Sequence, residues 1–374
     1  MSQDTVYDFA IIGAGIAGAS VASEIAAGSS VLILEAESQP GYHSTGRSAA
    51  FWIESYGGPC VQPLTTASRE FLENPPVKFS ARGFLHERKA INIATDVQQN
   101  LTKDFITEFD GTGIALERWD EAQIRAAVPQ LAVGWTNGVY EPDCCDIDVA
   151  ELHAAYLSSA RKAGAVLVRN SKVEAIERQN DLWTIHARAE IYRARTIINA
   201  AGAWADEVAL LAGVKPAGIT PLRRTMVQIE SDPPADPASV LVVAIDGSFY
   251  FKPEAGGGWW ITPHDEILDV PRDVAPDELG IAMAIDRFES TMTSRVRKVS
   301  RKWAGLRSFA PDRAPVYGVA PDQPAFFWFA GQGGFGIQTA PAAARLARSI
   351  LLNETRHPSI ASLDAGLYDP VRFS

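Results

Sequence analysis

A chain of 374 residues, 47% hydrophobic and without a charge block, is long enough to bury a large core in two or three domains. Its net charge of −11 argues against a nucleic-acid partner and against an anionic membrane surface. Cys60, Cys144 and Cys145 are too few for a disulfide framework. No C-x-x-C or His/Cys ligand spacing points to a metal, and the adjacent pair reads as reduced thiols.

The first six residues are polar and lack a signal-peptide pattern, and no run of about eighteen apolar residues exists. The expectation is a soluble, cytoplasmic protein without a membrane span. Residues 7–12 form a short apolar run, read as a buried strand. It breaks into Gly13-Ala14-Gly15-Ile16-Ala17-Gly18, a G-x-G-x-x-G. A helix is predicted over residues 17–27 and a second strand over 30–34, ending at Glu35. Gly13 permits the tight turn, Gly15 lets the backbone approach a pyrophosphate, and Gly18 lets the helix pack close to the sheet. The helix N-terminus offers N–H groups to phosphates. Glu35 stands about twenty residues on, where a carboxylate accepts from ribose hydroxyls. It is followed by Ala36 rather than Arg, so no 2′-phosphate is expected. The spacing fits NAD and FAD equally.

Residues 39–50 form a polar loop that runs into small residues. Helical spacing over 65–72 stops at Asn74-Pro75-Pro76. Residues 84–93 read as a strand pair or edge strand, and 121–127 as a short helix. Asp148-Val-Ala-Glu151 matches a capping box before a helix that runs to Gly164. His153 inside it reads as an ordinary helical histidine. Strands follow at 165–169, 172–178, 183–187 and 189–194, and then Thr196-Ile-Ile-Asn-Ala-Ala-Gly-Ala-Trp204. Residues 224–230, 240–245, 248–252 and 259–262 read as an antiparallel meander, with Asp246-Gly247 and Gly256-Gly257-Gly258 as hairpin signals. A helix is predicted over 277–292, a buried strand over 326–330, and a helix from Phe335 to about residue 352. Nucleotide-binding pieces thus lie at both ends and in the middle, so two interleaved domains are expected, with a ligand between them.

Three stretches carry a resemblance: Gln39-Pro-Gly-Tyr-His-Ser-Thr-Gly-Arg-Ser-Ala-Ala50, residues 196–204, and Gly331-Gln-Gly-Gly-Phe-Gly336. Their order and sequence resemble the D-amino-acid-oxidase-like flavoprotein superfamily, most nearly its D-arginine dehydrogenase type. The resemblance implies an α/β fold with a Rossmann-type FAD-binding domain (residues 1–83, 146–220 and 300–374). A mixed or antiparallel sheet domain for substrate is implied at 84–145 and 221–299. It implies FAD contacts at Gly13, Gly15, Gly18, Glu35, Ser44, Thr45, Arg47, Ser48, Val173, Ala201, Gly202, Trp204, Gly333, Gly334, Gly336 and Ile337. The cysteine that tethers flavin in some relatives lies near the C-terminal loop. All three cysteines here precede residue 146, so FAD is expected to be non-covalent.

The implied activity is oxidation of an amino acid by hydride transfer to flavin N5, with oxygen or a quinone-like molecule as electron acceptor. It gives an imino acid, then a keto acid and ammonia. A carboxylate calls for arginine, whose planar fork binds both oxygens. Arg307, in Trp303-Ala-Gly-Leu-Arg-Ser308, and Arg224 match the carboxylate arginines. The competing reading of each is a surface ion pair. Tyr56 and Tyr250 match substrate tyrosines; alternation puts Tyr250 opposite Phe249 and Phe251, and its competing reading is a core aromatic. Gly334 is expected to offer a carbonyl to the substrate amine, with Gln338 nearby. The first turn after Gly336 is expected to stabilise anionic charge on the flavin. In the side-chain pocket, with Ile53, the relative's histidine becomes Phe51. Its guanidinium-binding glutamate aligns with Ala90, or with Glu87 if the loop is shifted. The expected substrates are apolar or aromatic D-amino acids. A sarcosine-type secondary-amine oxidase and a non-catalytic flavin-binding subunit are the alternatives.

Overall fold

The computed structural model describes residues 5–374. Strand β1 (Val6–Ile12), helix α1 (Ile16–Ile25) and strand β2 (Val31–Leu34) form the opening unit. β1 is the centre of an eight-stranded sheet. It runs parallel to β2 on one side and to Glu190–Asn199 on the other. Val166–Val168 extends the sheet beyond β2, and Gln323–Ala330 pairs in parallel with residues 197–199. A strand flanked on both faces has no polar side to alternate with. Accordingly Ala10 and Ile12 enter one core with Trp183, Ile185 and Val208. Phe9 and Ile11 enter another, under α1 and the helix Gly336–Leu351.

The second layer is a ten-stranded mixed sheet. Its long strands, Thr220–Asp232 and Arg295–Phe309, pair antiparallel along most of their length. Alternation gives this sheet two different faces. Val227, Ile229, Phe249 and Phe251 pack against the helix Glu278–Thr291. Met226, Leu241, Tyr250 and Ala90 gather on the other face. A small third sheet joins Phe51–Trp52 and Leu85–Glu87 through Cys145–Ile147.

Several elements depart from the sequence reading. Residues 84–93 split between sheets: Leu85–Glu87 lies in the small one and Ala90–Thr95 in the large one. Strand Trp135–Glu141 and helix Gln99–Glu108 fall in a stretch with no clear period. Arg295–Phe309 crosses the boundary drawn at residue 300 and belongs wholly to the ten-stranded sheet. Its exposed basic first half masks the strand, because charged residues there pair with Asp232, Glu230 and Glu278. No helix among the described residues is long and apolar enough to cross a membrane.

Candidate active site

A cleft of about 720 Å³ runs along the C-terminal ends of β1, β2 and Glu190–Asn199. Its walls include Gly13, Gly15, Glu35, Ser44, Thr45, Ser48, Val173, Ala201, Gly202, Trp204, Gly333, Gly334, Gly336 and Ile337. This is the position where open α/β sheets bind ligands. Gly13 has φ +100°, and a Cβ there would stand 2.6 Å from the Ala200 carbonyl oxygen. A Cβ on Gly18 would stand 1.9 Å from the Gly13 oxygen, so Gly18 sits beneath the turn rather than in the cleft wall. His153 supports the same turn: its buried Nε2 lies 2.8 Å from the Ala14 oxygen.

The polar groups of the cleft suit a dinucleotide. Glu35 accepts from the N–H groups of Ala14 and Glu37, both at 2.8 Å. Its carboxylate is thereby fixed, with lone pairs left for ribose hydroxyls. Two helices, α1 and Gly336–Leu351, begin at the cleft. Neither has a side-chain N-cap or an acidic residue in its first turn, so both present a positive dipole end. Arg47 is placed elsewhere. It donates to the carbonyls of Val274 at 2.9 Å and Ala304 at 3.1 Å and pairs with Asp273, which ties the loop to the second layer.

The cleft meets a second, smaller cavity of about 20 Å³, room for one water. Ser48, Arg307, Gly334 and Ile337 line both. The junction follows from one strand pairing: Ser308 and Phe309 pair with Gly333 and Gln332, setting Arg307 beside the glycine loop. Ala49, Ala50, Phe51, Tyr56, Tyr250 and Gln338 complete the small cavity. Tyr250 stands edge-on to Phe51 at 5.5 Å, and Phe51 edge-on to Tyr56 at 5.6 Å. Burial pushes the Tyr250 hydroxyl up to about 12, so it stays protonated, and in the free protein it donates weakly to the Met226 sulfur at 3.5 Å. A Cβ on Gly334 would stand 2.4 Å from the Tyr56 hydroxyl; glycine alone permits that approach.

Arg307 is 6% exposed, and no carboxylate pairs with it among the described residues. Burial, and then the nearby Arg224 cation, hold its pKa below the usual value. Arg224 does not line either cavity. It donates to the Asp265 carbonyl at 2.8 Å and to Glu266 at 3.1 Å, and Arg313 shares that carboxylate. The ion pair therefore occupies Arg224 and leaves Arg307 free.

Gln338 lines the pocket but spends its amide on the 53–56 turn and on the Thr65 hydroxyl. Ile53 and Ala90 are buried in one apolar cluster with Phe51, Tyr250, Met226 and Leu241. Glu87 is exposed and pairs with Lys89 at 2.8 Å, away from that cluster. Sequence reasoning missed His264, which packs on the rings of Tyr250 at 5.5 Å and Tyr56 at 6.3 Å. Its Nδ1 faces the Gly247 carbonyl, which can only accept, so the proton sits there. Its Nε2 is buried without a partner among the described residues. Burial first, and then Arg224, bring His264 down to about 3. Its positive φ of 52° is the one local signal, and the sequence does not show it.

Comparison with known proteins agrees with this fold. The hydrogen cyanide synthase subunit HcnC of Pseudomonas aeruginosa is 27% identical over 261 residues, 68% of this chain and 60% of that protein. Matches to the first curated relatives thus span less than two thirds of their lengths. The crystal structure of glycine oxidase from Geobacillus kaustophilus superposes with a TM-score of 0.85 at 20% identity, covering 98% of both chains. That of L-proline dehydrogenase from P. horikoshii gives 0.84 at 21%, again over 98% of both. These likenesses show the fold, and they do not single out the D-arginine dehydrogenase type. The profile described as FAD dependent oxidoreductase matches residues 8–350, and the chain belongs to that family.

Proposed function

We propose that the protein catalyses the FAD-dependent oxidative deamination of D-amino acids with apolar side chains. The product imino acid is hydrolysed to a keto acid and ammonia. The observation that carries this reading is Arg307, a buried guanidinium with no ion pair among the described residues, where the dinucleotide cleft meets the small cavity. A buried cation of that kind is costly unless a ligand neutralises it, and a carboxylate matches its fork.

FAD, when bound, supplies the two-electron acceptor, and oxygen or a quinone-like molecule reoxidises it. The absence of the tethering cysteine supports non-covalent attachment. Arg307 holds the substrate carboxylate, with the hydroxyls of Tyr56 and Tyr250 as further donors. The Gly334 carbonyl receives the amine. The uncapped first turn of Gly336–Leu351 favours negative charge at that end of the cleft. None of the residues lining the small cavity is a carboxylate or an imidazole. The amine therefore binds neutral, and its Cα–H is oriented rather than deprotonated by a side chain.

The apolar cluster around Phe51, Ile53 and Ala90 sets the side-chain preference. A guanidinium or ammonium there would cost several kcal/mol, whereas each buried CH₂ gains about 0.8 kcal/mol. The space of about 20 Å³ puts small side chains first. D-Leucine and D-phenylalanine require Phe51 or Tyr56 to move. The same small space favours a second reading, a small secondary amine such as sarcosine. The deciding experiment is kcat/KM across both enantiomers of alanine, leucine, phenylalanine, lysine and arginine, with glycine and sarcosine alongside. Highest activity with D-arginine or D-lysine would overturn the apolar assignment, and activity with L-amino acids alone would overturn the stereochemical one.

A further inference from the structure

The turn that carries Tyr56 is gripped from two sides by buried side chains. From the helix Gly336–Leu351, Gln338 accepts from the Ile53 N–H and donates to the Tyr56 carbonyl, both at 3.2 Å. From the ten-stranded sheet, Glu141 at the end of Trp135–Glu141 accepts from the Glu54 N–H at 2.8 Å and the Ser55 N–H at 3.3 Å. It also accepts from the Ser55 hydroxyl at 2.6 Å. Four successive residues are thus held by one side chain from each layer.

Glu141 is fully buried, and the charged group that faces it is another carboxylate, Glu54. Glu54 is itself bonded to Thr66, with Arg69 and Asp143 beyond it. The buried Cys144 thiol is also within electrostatic reach of Glu141. Among the described residues no cation pairs with Glu141, and a buried carboxylate left so is an expensive way to fill space; an apolar side chain would serve packing better. What a carboxylate offers here is acceptor capacity: its two oxygens take three donors from adjacent residues. The turn needs that accuracy because the Tyr56 hydroxyl approaches Gly334 so closely that a Cβ would be 2.4 Å away. A small displacement of the turn would carry the hydroxyl off the glycine loop.

We propose that Glu141 is a positioning residue of the active site: its three hydrogen bonds seat the Ile53–Tyr56 turn and so place the Tyr56 hydroxyl against Gly334 at the carboxylate end of the pocket. The inference rests on the reading of that pocket as an amino-acid site. Glu141 does not touch the cavity and acts only through Tyr56.

Three variants of the holoenzyme separate the possibilities. Glu141→Ala removes all three acceptors. Glu141→Gln keeps one oxygen for the two N–H groups and turns an amide toward the Ser55 hydroxyl, which can accept. Ser55→Ala removes one bond and disturbs the fold least. Kd for benzoate and for acetate is read from the flavin visible spectrum, KM and kcat with the best amino acid, and amide exchange over residues 53–56. For Glu141→Ala we expect KM and Kd to rise about tenfold or more, with kcat within about threefold and faster exchange across the turn. Glu141→Gln is expected to restore both to within about threefold, and Ser55→Ala to fall between. The proposal is overturned if Glu141→Ala leaves KM and exchange at wild-type values. It is overturned equally if Glu141→Gln is as impaired as Glu141→Ala, or if kcat falls with KM unchanged. Should Glu141→Ala not fold, wild-type exchange and Kd in Ser55→Ala overturn it. If the wild-type protein binds no carboxylate and oxidises no amino acid, the pocket reading fails. Amide exchange over 53–56 in the variants then still decides whether Glu141 seats the turn.

Discussion

Replacing Arg307 by methionine separates the two roles a buried cation can have. In the free protein the guanidinium is 6% exposed with no ion pair among the described residues, so its removal relieves a desolvation cost. Methionine fills similar length without the charge. The folded state should therefore hold or gain stability, and Tm should not fall. In the complex the sign reverses. The substrate carboxylate enters a site where Arg224 is committed to Glu266, so no second cation replaces Arg307. Leaving a buried charge without its partner costs about 3–5 kcal/mol. At about 1.4 kcal/mol per decade, kcat/KM should drop by roughly 10² to 10³·⁵. The assay is steady-state oxidation of the best amino acid, with FAD content and Tm measured on the same preparation. An unchanged kcat/KM would remove Arg307 from the site. A loss of activity that tracks loss of FAD or of Tm would show a structural role and refute the argument.

Gly18→Ala places a methyl 1.9 Å from the Gly13 carbonyl oxygen, so α1 must shift and FAD affinity should fall by an order of magnitude or more; fluorescence titration of the apoprotein with FAD measures it. Phe51→Ala opens the small cavity toward the apolar cluster. It should raise kcat/KM for D-leucine and D-phenylalanine relative to D-alanine by about tenfold, and an unchanged ratio would place the side chain elsewhere. His264 stays neutral in the fold down to about pH 3 but protonates near pH 6.5 once unfolded. The unfolded state then binds the extra proton, so stability should fall as pH drops from about 6.5 toward 3. In urea titrations at pH 7 and pH 4.5, His264→Phe should lose less stability between the two than the wild-type protein; equal losses would contradict it.

The dinucleotide cleft was legible because its signals are local. Gly13, Gly18 and Glu35 lie within one strand–helix–strand unit; Gly18 and Glu35 are explained by contacts inside it, and Gly13 by its positive φ and the approach of the Ala200 carbonyl. The facing of Tyr250 followed from strand alternation, which a short strand between hairpin signals preserves. What stayed hidden depends on partners distant in sequence. Arg224 and Arg307 look alike in the chain, and only the fold brings Glu266 to one and, among the described residues, no carboxylate to the other. Arg47 reads as a flavin-loop residue until Asp273 and two carbonyls of the second layer are seen around it. Glu141 ends a strand that carries Trp135, Thr136 and Asn137 without clear alternation, and the amides it holds lie 86 and 87 positions away. Glu87 and Ala90 are three residues apart, yet one strand ends and another begins between them, sending the first to solvent and the second to the core.

The central claim is that a carboxylate held at Arg307 presents an amino acid to bound FAD. Anaerobic titration of the purified protein with D-alanine, followed at the flavin absorption maximum, tests it most directly. The account predicts a yellow protein whose flavin bleaches stoichiometrically with D-alanine, does not bleach with L-alanine, and in Arg307→Met bleaches only at far higher substrate concentration. A protein that carries flavin but keeps its full spectrum with every amino acid and with sarcosine would contradict it, and would leave a flavin-binding subunit as the better description.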